Sequence, residues 1–367
     1  MKYKFLNLNN NYLSLYLGIA ISSVFLIKKY FTGPYVNNNL KKKNPVNNKI
    51  VIITGCTAGI GKVTAIDLLK NGATVIFACR NKDKTMSIIN SLEENIQKKS
   101  IFMELDLSSF KSVKKFVDSF KKQFNKLDIL INNAGSVFDS YKLTEDNIES
   151  TLQVNTLSHM YLTQELFELL SKSNNARIIN VASRAHTRVN FKDDFYNKYF
   201  YDKKSNENIE YKNNAFYNFE LEKNNSYYSM LKNYQLSKLG NIYFSQYINE
   251  YLQNNGINNV KSFSLHPGVI FTDFFFNHKY KYLMYIINPF VWLFLKTNES
   301  GAQTSLYLCY EDFNNIASGG YYKDCKLNKE ANHAKYSNTE NRKLFMDFAI
   351  SNINYYGKKS NISINLI

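Results

Sequence analysis

The chain has 367 residues, 44% hydrophobic and 21% charged, which excludes a disordered chain, a collagen and a small disulfide-stabilised protein. Lysine and arginine number 46 against 30 aspartates and glutamates, a formal net charge of +16. Because the excess is scattered lysine among abundant asparagine and tyrosine, it indicates biased composition, and no nucleic-acid partner is predicted. The cysteines form no CxxC pair, which argues against a zinc site or a disulfide framework and favours a reducing compartment.

The uncharged stretch from Tyr12 to Ile27 is a candidate membrane segment. A full span needs about 20 apolar residues, but flanking lysines and aromatic residues can extend a slightly shorter stretch. Most of the flanking lysines follow it, at Lys28, Lys29 and 41–43, so the positive-inside rule places the rest of the chain in the cytosol. We predict that residues 1–31 are a hydrophobic anchor or signal segment, with the protein attached to the endoplasmic reticulum membrane.

Two alternatives exist for this region. A cleaved signal peptide is disfavoured because no A-x-A-like site follows the apolar run. Since the first carboxylate of the chain is Asp67, residues 28–48 are also compatible with a transit peptide that follows a signal sequence and directs the protein to an organelle. We favour a basic linker, rich in asparagine and lysine, over residues 32–48.

From Lys49 onward, short β-branched runs alternate with amphipathic segments. The predicted strands are KIVIITG, ATVIFACR, SIFMELD, LDILINNAG, ARIINVAS and NVKSFSLHPG. The predicted helices are Lys62–Lys70, Ser109–Phe124, Asp146–Leu170 and Gln235–Leu252. This alternation predicts an α/β fold, a doubly wound parallel sheet of the Rossmann type with helices on both faces, forming a single domain over residues 49–350. Residues 190–226 are predicted to be a surface insertion, and residues 351–367 a polar C-terminal tail.

The first predicted strand leads into a glycine-rich turn, Gly55-x3-Gly59-x-Gly61, which opens the first helix. Glycines there allow a tight turn and close approach of a pyrophosphate, and the helix amino end favours negative charge. The spacing differs from GxGxxG, and a simple glycine turn is the alternative explanation when the motif is taken alone. Cys56 in this turn is either redox-sensitive or, as we favour, a small buried side chain.

The second predicted strand ends in Ala78-Cys79-Arg80-Asn81, where dinucleotide folds contact the adenosine ribose. There is no carboxylate to accept a hydrogen bond from the ribose 2′-hydroxyl of NAD, whereas Arg80 can pair with the 2′-phosphate of NADP. A solvated cation at the strand end is the alternative. We predict NADP(H) as the cofactor.

Tyr234 and Lys238 are four residues apart and so share one face of a predicted helix. An ammonium group beside a phenol lowers the phenol pKa from about 10, which suits proton transfer near neutral pH. YxxxK alone is weak evidence in a chain with 28 tyrosines. Ser183 at a strand end and Asn155 in a helix are separately explained as a cap and a packing amide. All of these motifs occur in order, each in its expected structural context.

Together they resemble the short-chain dehydrogenase/reductase family over roughly residues 49–345. The segments most similar to its retinol dehydrogenase and WW-domain oxidoreductase branch are TGCTAGIGK, LDLSS, LINNAG, QVNTLSHMYLT, ARIINVASRAH, YQLSKLGNIYF, LHPGVIFTDF and SGAQTSLYLC. That branch is often membrane-anchored and NADPH-linked. Two departures are the long segment from Ser183 to Tyr234 and Ala182, where many relatives have serine.

The resemblance implies a catalytic domain in which Tyr234 is the general acid/base. It further implies that Lys238 lowers the pKa of that tyrosine and holds the nicotinamide ribose, that Ser183 orients the substrate carbonyl, and that Asn155 positions a relay water. The implied cofactor contacts are Gly55, Thr57, Gly59, Ile60 and Gly61 at the phosphates, Arg80 at the ribose, Asp106 at the adenine amine, Asn133, Ala134 and Gly135 beside the adenosine, and Pro267, Gly268 and Thr272 over the nicotinamide.

The implied activity is the NADP(H)-dependent interconversion of a lipophilic alcohol with its aldehyde or ketone. The apolar stretch Tyr282 to Leu295, which is too short to span a bilayer, is either a lid over the substrate or core packing. The competing hypothesis is a weakly catalytic NADP(H)-binding scaffold or sensor that docks partners through residues 190–226. No metal is predicted, because the histidines lack ligand spacing. The candidate partners are a lipophilic small molecule, a membrane at residues 1–31, and a second copy of the chain in a homodimer.

Overall fold

The computed structural model describes residues 10–43, 45–138, 140–196, 201–202, 207–208, 230–270, 293–328 and 338–359. Its strands are β1 (Ile50–Thr54), β2 (Thr74–Cys79), β3 (Ser100–Glu104), β4 (Ile129–Asn132), β5 (Ala176–Val181), β6 (Tyr201–Asp202), β7 (Glu207–Asn208), β8 (Val260–His266), β9 (Tyr321–Lys323) and β10 (Lys326–Leu327). Its helices are α1 (Asn10–Thr32), α2 (Asn38–Lys42), α3 (Gly59–Lys70), α4 (Lys82–Asn90), α5 (Glu94–Gln97), α6 (Phe110–Gln123), α7 (Ser150–Leu152), α8 (Ser158–Glu165), α9 (Phe167–Ser171), α10 (Met230–Asn254), α11 (Asn298–Tyr310) and α12 (Thr339–Lys359).

The main sheet has the strand order β10-β9-β8-β5-β4-β1-β2-β3. All neighbouring strands pair in parallel except β10, which runs antiparallel to β9 at one edge. The chain leaves β1 towards β2 and β3, then returns to place β4 on the other side of β1. The order therefore reverses between β1 and β4, and ligands of such sheets bind at that point, beyond the carboxyl ends of the strands. The predicted Rossmann-type fold is confirmed.

Helices cover both faces of the sheet, because successive strand residues point to opposite sides. Ile52 and Ile76 contribute to a core with α6, α8, α10 and α12, while Val51 and Val75 contribute to a second core with α3 and α11. Strands buried on both faces explain why the predicted segments are continuous apolar runs. All six predicted strands form, within a few residues of their predicted ends.

The helix predicted over Asp146–Leu170 is interrupted. Between α7 and α8 the chain forms a π-helical turn, Gln153–Leu157, and α9 follows as a separate short helix. A π turn inserts one extra residue per turn and often occurs at functional sites. Here it carries Asn155, one of the predicted catalytic residues.

The N-terminal region packs on the domain through its second half. Val36 and Val46 are buried, and the Val36 amide donates to Gln303 Oε1 at 2.9 Å. Lys41 pairs with Asp67 at 2.5 Å. The described residues of the segment predicted as a linker, 32–43 and 45–48, therefore form an ordered strap that contains α2.

Helix α1, by contrast, exposes large apolar side chains, for example Leu15 (57% exposed), Phe25 (67%) and Leu26 (67%). None of the helices in the described part of the chain has both the length and the apolar character that crossing a bilayer needs. The membrane anchor predicted for residues 1–31 is not confirmed and stays a prediction.

At the other end of the chain, α12 continues through Lys359, beyond the domain boundary predicted at residue 350. Ile353 is completely buried and Tyr356 is 4% exposed, so the first part of the predicted polar tail belongs to the core. These apolar side chains recur at helical spacing between asparagines and lysines, which made the segment look polar on average.

The insertion predicted at residues 190–226 also begins inside the core. The Phe195 ring is fully buried, and its centroid lies 5.4 Å from that of Phe345 and 5.2 Å from that of Phe348. Farther along, the two-stranded sheet of β6 and β7 is described, and most of the remaining insertion lies outside the described residues.

Candidate active site

An open cleft lies beyond the carboxyl ends of β1, β2, β3 and β4, where the strand order reverses. The predicted cofactor contacts that line it are Gly55, Thr57, Gly59, Ile60, Gly61, Arg80, Asp106, Asn133, Ala134 and Gly135. The fold therefore brings ten residues from four separate loops to one site.

The glycine turn is fitted tightly against the segment that follows β4. Gly55 has φ +65°, and a Cβ atom on it would lie 2.8 Å from Ala134 Cβ. A Cβ on Gly61 would lie 2.8 Å from the Gly55 carbonyl oxygen. The N-cap residue of α3, Ala58, makes no side-chain capping hydrogen bond. The turn thus presents bare backbone and helix amides to the cleft, which suits a phosphate group.

The Thr54 hydroxyl connects the turn to this neighbouring segment. Its oxygen accepts the backbone amides of Asn133 and Ala134, both at 2.9 Å. In return, Asn133 Nδ2 donates to the Thr54 carbonyl at 2.8 Å. The same hydroxyl lies 2.9 Å from His159 Nε2. Sequence reasoning missed Thr54 and His159, because buried polar side chains carry no pattern until their partners are known.

The tautomer of His159 follows from its partners. His159 Nδ1 lies 3.2 Å from the carbonyl oxygen of Asn155, which can only accept, so Nδ1 carries the proton and Nε2 accepts from Thr54. Burial lowers the pKa of His159 to about 4, with a smaller contribution from the charge of Lys238. A neutral imidazole therefore joins the end of β1 to the π turn.

The side chain of Asn155 is completely buried and fully engaged. Its Oδ1 accepts the Ser136 amide at 2.7 Å, and its Nδ2 donates to the Ser136 carbonyl at 2.9 Å and to Ser237 Oγ at 3.1 Å. The amide therefore fixes the segment after β4 against α8 and α10. Both donor contacts of its side chain are thus made to protein groups. The relay water predicted for Asn155 stays a prediction.

Tyr234, Ser183 and Lys238 meet at the end of β5. The Tyr234 hydroxyl is hydrogen-bonded to the Ser183 side chain. Lys238 Nζ lies 5.7 Å from the centroid of the Tyr234 ring and donates to the Val181 carbonyl at 3.0 Å. A Cβ on Gly135 would lie 3.0 Å from Lys238 Nζ, so this group adjoins the cleft. The spacing of Tyr234 and Lys238 on one helical face is as the sequence predicted.

The electrostatics of the group differ from the sequence expectation. Burial raises the pKa of Tyr234, and the Ser183 hydrogen bond opposes this rise. Burial also lowers the pKa of Lys238 to about 8. Removing water disfavours both the phenolate and the ammonium, and this outweighs the attraction expected between them. In this structure Tyr234 is a protonated phenol at neutral pH.

On the adenosine side, Arg80 is exposed at the rim of the cleft immediately after β2, with Lys84 beside it on α4. Asp106 Oδ1 accepts the Ser108 amide at 2.9 Å and the Ser108 hydroxyl at 2.7 Å, which shapes the turn after β3. Asn298, at the start of α11, also lines the cleft. Its Oδ1 is buried and finds no hydrogen-bond partner among the described residues. The sequence analysis named neither Lys84 nor Asn298.

The nicotinamide side is only partly described. Pro267 and Gly268 follow β8, and Gly268 has φ +99° with the Lys296 side chain packed against it. Neither residue lines the described part of the cleft. Thr272 and most of the apolar stretch from Tyr282 to Leu295 lie outside the described residues.

These features define a class of protein. A parallel sheet with a glycine turn between β1 and α3 at the point where the strand order reverses is the arrangement of a Rossmann-type dinucleotide-binding domain. The bare turn and the cation at the end of β2 fit the phosphate groups of a dinucleotide.

Comparison with known proteins gives the family. The sequence model of the short chain dehydrogenase family matches residues 49–197. The chain is 31% identical to Mus musculus retinol dehydrogenase 12 over 333 residues, covering 90% of this chain and 93% of the relative. It is 32% identical to Homo sapiens retinol dehydrogenase 12 over 318 residues, covering 86% and 89%. The chain belongs to the short-chain dehydrogenase/reductase family, in its retinol dehydrogenase branch.

Solved structures agree with the fold. A crystal structure of a protein from Mycobacterium paratuberculosis matches with a TM-score of 0.55 at 24% identity, covering 82% of this chain and 94% of that one. A structure described as a short chain dehydrogenase from Escherichia coli CFT073, complexed with NADPH, matches with 0.54 at 19% identity, covering 77% and 98%. At these identities the likeness concerns the fold alone.

The buried His159 predicts a loss of stability in acid. Its pKa of about 4 lies below the unfolded value of about 6.5, so the unfolded state binds the proton first. The contribution of neutral His159 to the free energy of unfolding is complete above the unfolded pKa of about 6.5, and it is lost as the pH decreases towards 4. Between pH 7 and 4.5 we expect His159 alone to lower the free energy of unfolding by about 2 kcal/mol. Urea unfolding at several pH values measures this.

His159→Gln should make that pH dependence shallower, whatever it does to stability at pH 7. His266, whose pKa burial lowers to about 3, titrates in the same direction, so the single variant keeps part of the slope. His266→Gln is the matched control, because it removes a second buried histidine whose pKa is lowered. Identical slopes for the wild type and His159→Gln would contradict the neutral assignment of His159.

Proposed function

We propose that the protein is an NADP(H)-dependent oxidoreductase that interconverts a lipophilic alcohol with its aldehyde or ketone. Family membership makes it an oxidoreductase. The observation that supports the finer proposal is the hydrogen-bonded Tyr234 and Ser183 pair, with Lys238 on the same helical face, at the edge of the glycine-lined cleft. Relatives named retinol dehydrogenases support a lipophilic substrate.

The glycine turn, Arg80 and Lys238 would hold the cofactor. When bound, it would exchange a hydride with the carbonyl carbon of the substrate. Tyr234 would transfer a proton to or from the substrate oxygen through its hydroxyl. The Ser183 hydroxyl, already paired with Tyr234, would donate a hydrogen bond to the same oxygen and hold it within reach of the phenol. The two hydroxyl groups thus define where the substrate oxygen sits.

The protonation states are those that carbonyl reduction needs. Burial keeps the Tyr234 phenol protonated at neutral pH, and this is the form that donates a proton to a developing alkoxide. Lys238, with a pKa of about 8, is mainly charged at neutral pH and would stabilise the phenolate left behind. We assign the Asn155 amide a supporting role, since it holds Ser136 next to this group.

The preference for NADP(H) rests on the rim of the cleft at the end of β2. Arg80 is exposed there, and neither of the two residues that follow the strand, Arg80 and Asn81, is a carboxylate. A guanidinium can pair with a 2′-phosphate through two hydrogen bonds, and Lys84 adds a second cation nearby.

Tyr234→Phe tests the proposed mechanism, since it removes only the phenolic oxygen. We expect turnover with NADPH and a hydrophobic aldehyde to fall by about 10² to 10⁴-fold, while the Kd for NADPH changes little. Steady-state rates and fluorescence titration of NADPH measure the two quantities. The matched control is Tyr251→Phe, which removes the same atom from the same helix, α10, near Phe167.

Three results distinguish the possibilities. Loss of turnover in Tyr234→Phe but not in Tyr251→Phe supports the mechanism. Equal turnover in the wild type and Tyr234→Phe contradicts it. A wild type that binds NADPH but turns over none of a panel of hydrophobic aldehydes and ketones would support the alternative, an NADP(H)-binding scaffold or sensor.

Arg80→Ser tests the cofactor preference. Because it removes the charge that would face the 2′-phosphate, we expect the Kd for NADPH to rise about 10 to 100-fold with little change for NADH. Lys82→Ser is the control, since Lys82 is an exposed lysine two residues away that does not line the cleft. A parallel loss of affinity for both dinucleotides would refute a 2′-phosphate contact.

We also propose that α1 attaches the protein to a membrane, with the domain on the cytosolic side. The support is its row of exposed apolar side chains, including Phe25 and Leu26. The end of α1 also contacts the segment before α11, where Lys28 Nζ donates to the Leu295 carbonyl at 2.7 Å and the Phe31 and Phe294 ring centroids are 5.1 Å apart. A lipophilic substrate would then reach the protein from the bilayer.

Subcellular fractionation with protease protection tests this attachment. We expect the full chain to sediment with membranes and remain accessible to added protease, and a variant with serine at both Phe25 and Leu26 to be released more readily. Replacing Lys29 by serine is the control for the charge beside the apolar row. A full chain that stays soluble, or a domain that resists protease until detergent is added, contradicts the proposed attachment or its orientation.

A further inference from the structure

Two cysteines far apart in sequence meet beneath the glycine turn. Cys56 Sγ and Cys79 Sγ are 3.4 Å apart, and both thiols are free. Strands β1 and β2 are adjacent and parallel, with Thr54 opposite Ala78, so the residues that follow these two positions lie side by side. Spacing in the sequence argued against a disulfide framework, and only the strand register shows that these two thiols are neighbours. Neither thiol has a part in the proposed hydride transfer.

The pair is asymmetric. Cys79 lines the cleft, while Cys56 is completely buried. Cys79 Sγ accepts the Cys56 backbone amide at 3.3 Å, whereas Cys56 Sγ lies 3.3 Å from the Ile53 carbonyl. The Cys56 side-chain hydrogen bond lowers the pKa of Cys79, and burial raises the pKa of Cys56. Cys79, although only 4% exposed, is the sulfur that borders the cleft, and we expect it to be the one that meets a small oxidant entering there.

We propose that Cys56 and Cys79 form a thiol-oxidation site at which hydrogen peroxide produces a reversible disulfide under the phosphate-binding turn. The Cys79 thiolate attacks one peroxide oxygen, the O–O bond breaks, and Cys79 becomes a sulfenic acid while the other oxygen leaves as water after taking up a proton. Cys56 then attacks the Cys79 sulfur and expels a second water. Two thiols lose two electrons in all, and one peroxide is reduced to two waters.

We expect this disulfide to strain the turn. A disulfide bond is about 2.05 Å long, so the two sulfurs have to approach each other by more than about 1 Å. Gly55 lacks room to follow, since even a Cβ atom there would lie 2.8 Å from Ala134 Cβ. At the other end of the bond, Cys79 immediately precedes Arg80. We therefore expect oxidation to disturb the turn and the position of Arg80, the cation that we propose for the dinucleotide, and this consequence rests on the proposed function.

The experiment uses the full chain, first reduced and then treated with hydrogen peroxide. Peptide mapping under non-reducing conditions should show a Cys56–Cys79 linked peptide and the loss of two of the four free thiols. Dithiothreitol should restore both thiols. Fluorescence titration should show NADPH binding about tenfold or more weakly to the oxidised form, since phosphate contacts to the turn are lost. Saturating NADPH, added before peroxide, should slow disulfide formation.

Two variants make the test specific. Cys56→Ala should leave Cys79 at the sulfenic acid, which dimedone traps, with no linked peptide. Cys309→Ala removes a buried cysteine on α11 and should still form the disulfide. Absence of the Cys56–Cys79 peptide in the folded wild type overturns the oxidation site, and an oxidised protein with unchanged NADPH affinity overturns its coupling to the cleft. Failure of the reduced protein to bind NADPH would instead reject the proposed function, and the peptide map would still decide the oxidation site.

Discussion

The site depends on one buried hydroxyl group, that of Thr54. It holds two backbone amides after β4 and the imidazole of His159, so the ends of the two strands between which the order reverses are fixed relative to each other. Without this hydroxyl, the Ala134 amide and His159 Nε2 would lose the partner described here, and unsatisfied buried polar groups are costly. The close contact of Gly55 with Ala134 is possible because these hydrogen bonds hold the segments together. Through His159 the same network reaches Asn155, whose side chain donates to Ser237 on α10, the helix that carries Tyr234 and Lys238.

The charged and titratable groups on the two sides of the cleft differ in burial. Around Tyr234 and Lys238, the removal of water raises the pKa of the phenol, which stays protonated at neutral pH, and lowers the pKa of the ammonium to about 8. At the rim, Arg80 stays exposed and fully able to attract an anion. A dinucleotide lying along the cleft would thus meet solvated charge at one end and a desolvated acid at the other.

The N-terminal strap relates the exposed helix α1 to the remainder of the fold. Buried Val36 and Val46, with the Lys41 and Asp67 ion pair, anchor the strap on the α3 and α11 face. Near its start, Gly33 leaves just enough room for Lys296, which pairs with Asp324 at 2.6 Å and packs against Gly268. One buried lysine therefore contacts both the residue after α1 and the turn after β8, so a displacement of the helix would also move that turn.

Sequence alone determined the strands, the glycine turn and the shared face of Tyr234 and Lys238, because these depend on the local periodicity of one strand, turn or helix. Tertiary structure decided what required two distant segments: the partners of Thr54, the neighbouring sulfurs of Cys56 and Cys79, and the burial that raises the pKa of Tyr234. It also decided the chain ends, where apolar residues of the strap and of α12 bury themselves despite polar surroundings. Hydrogen-bond partners and desolvation are properties of the packed chain, and no local pattern encodes them.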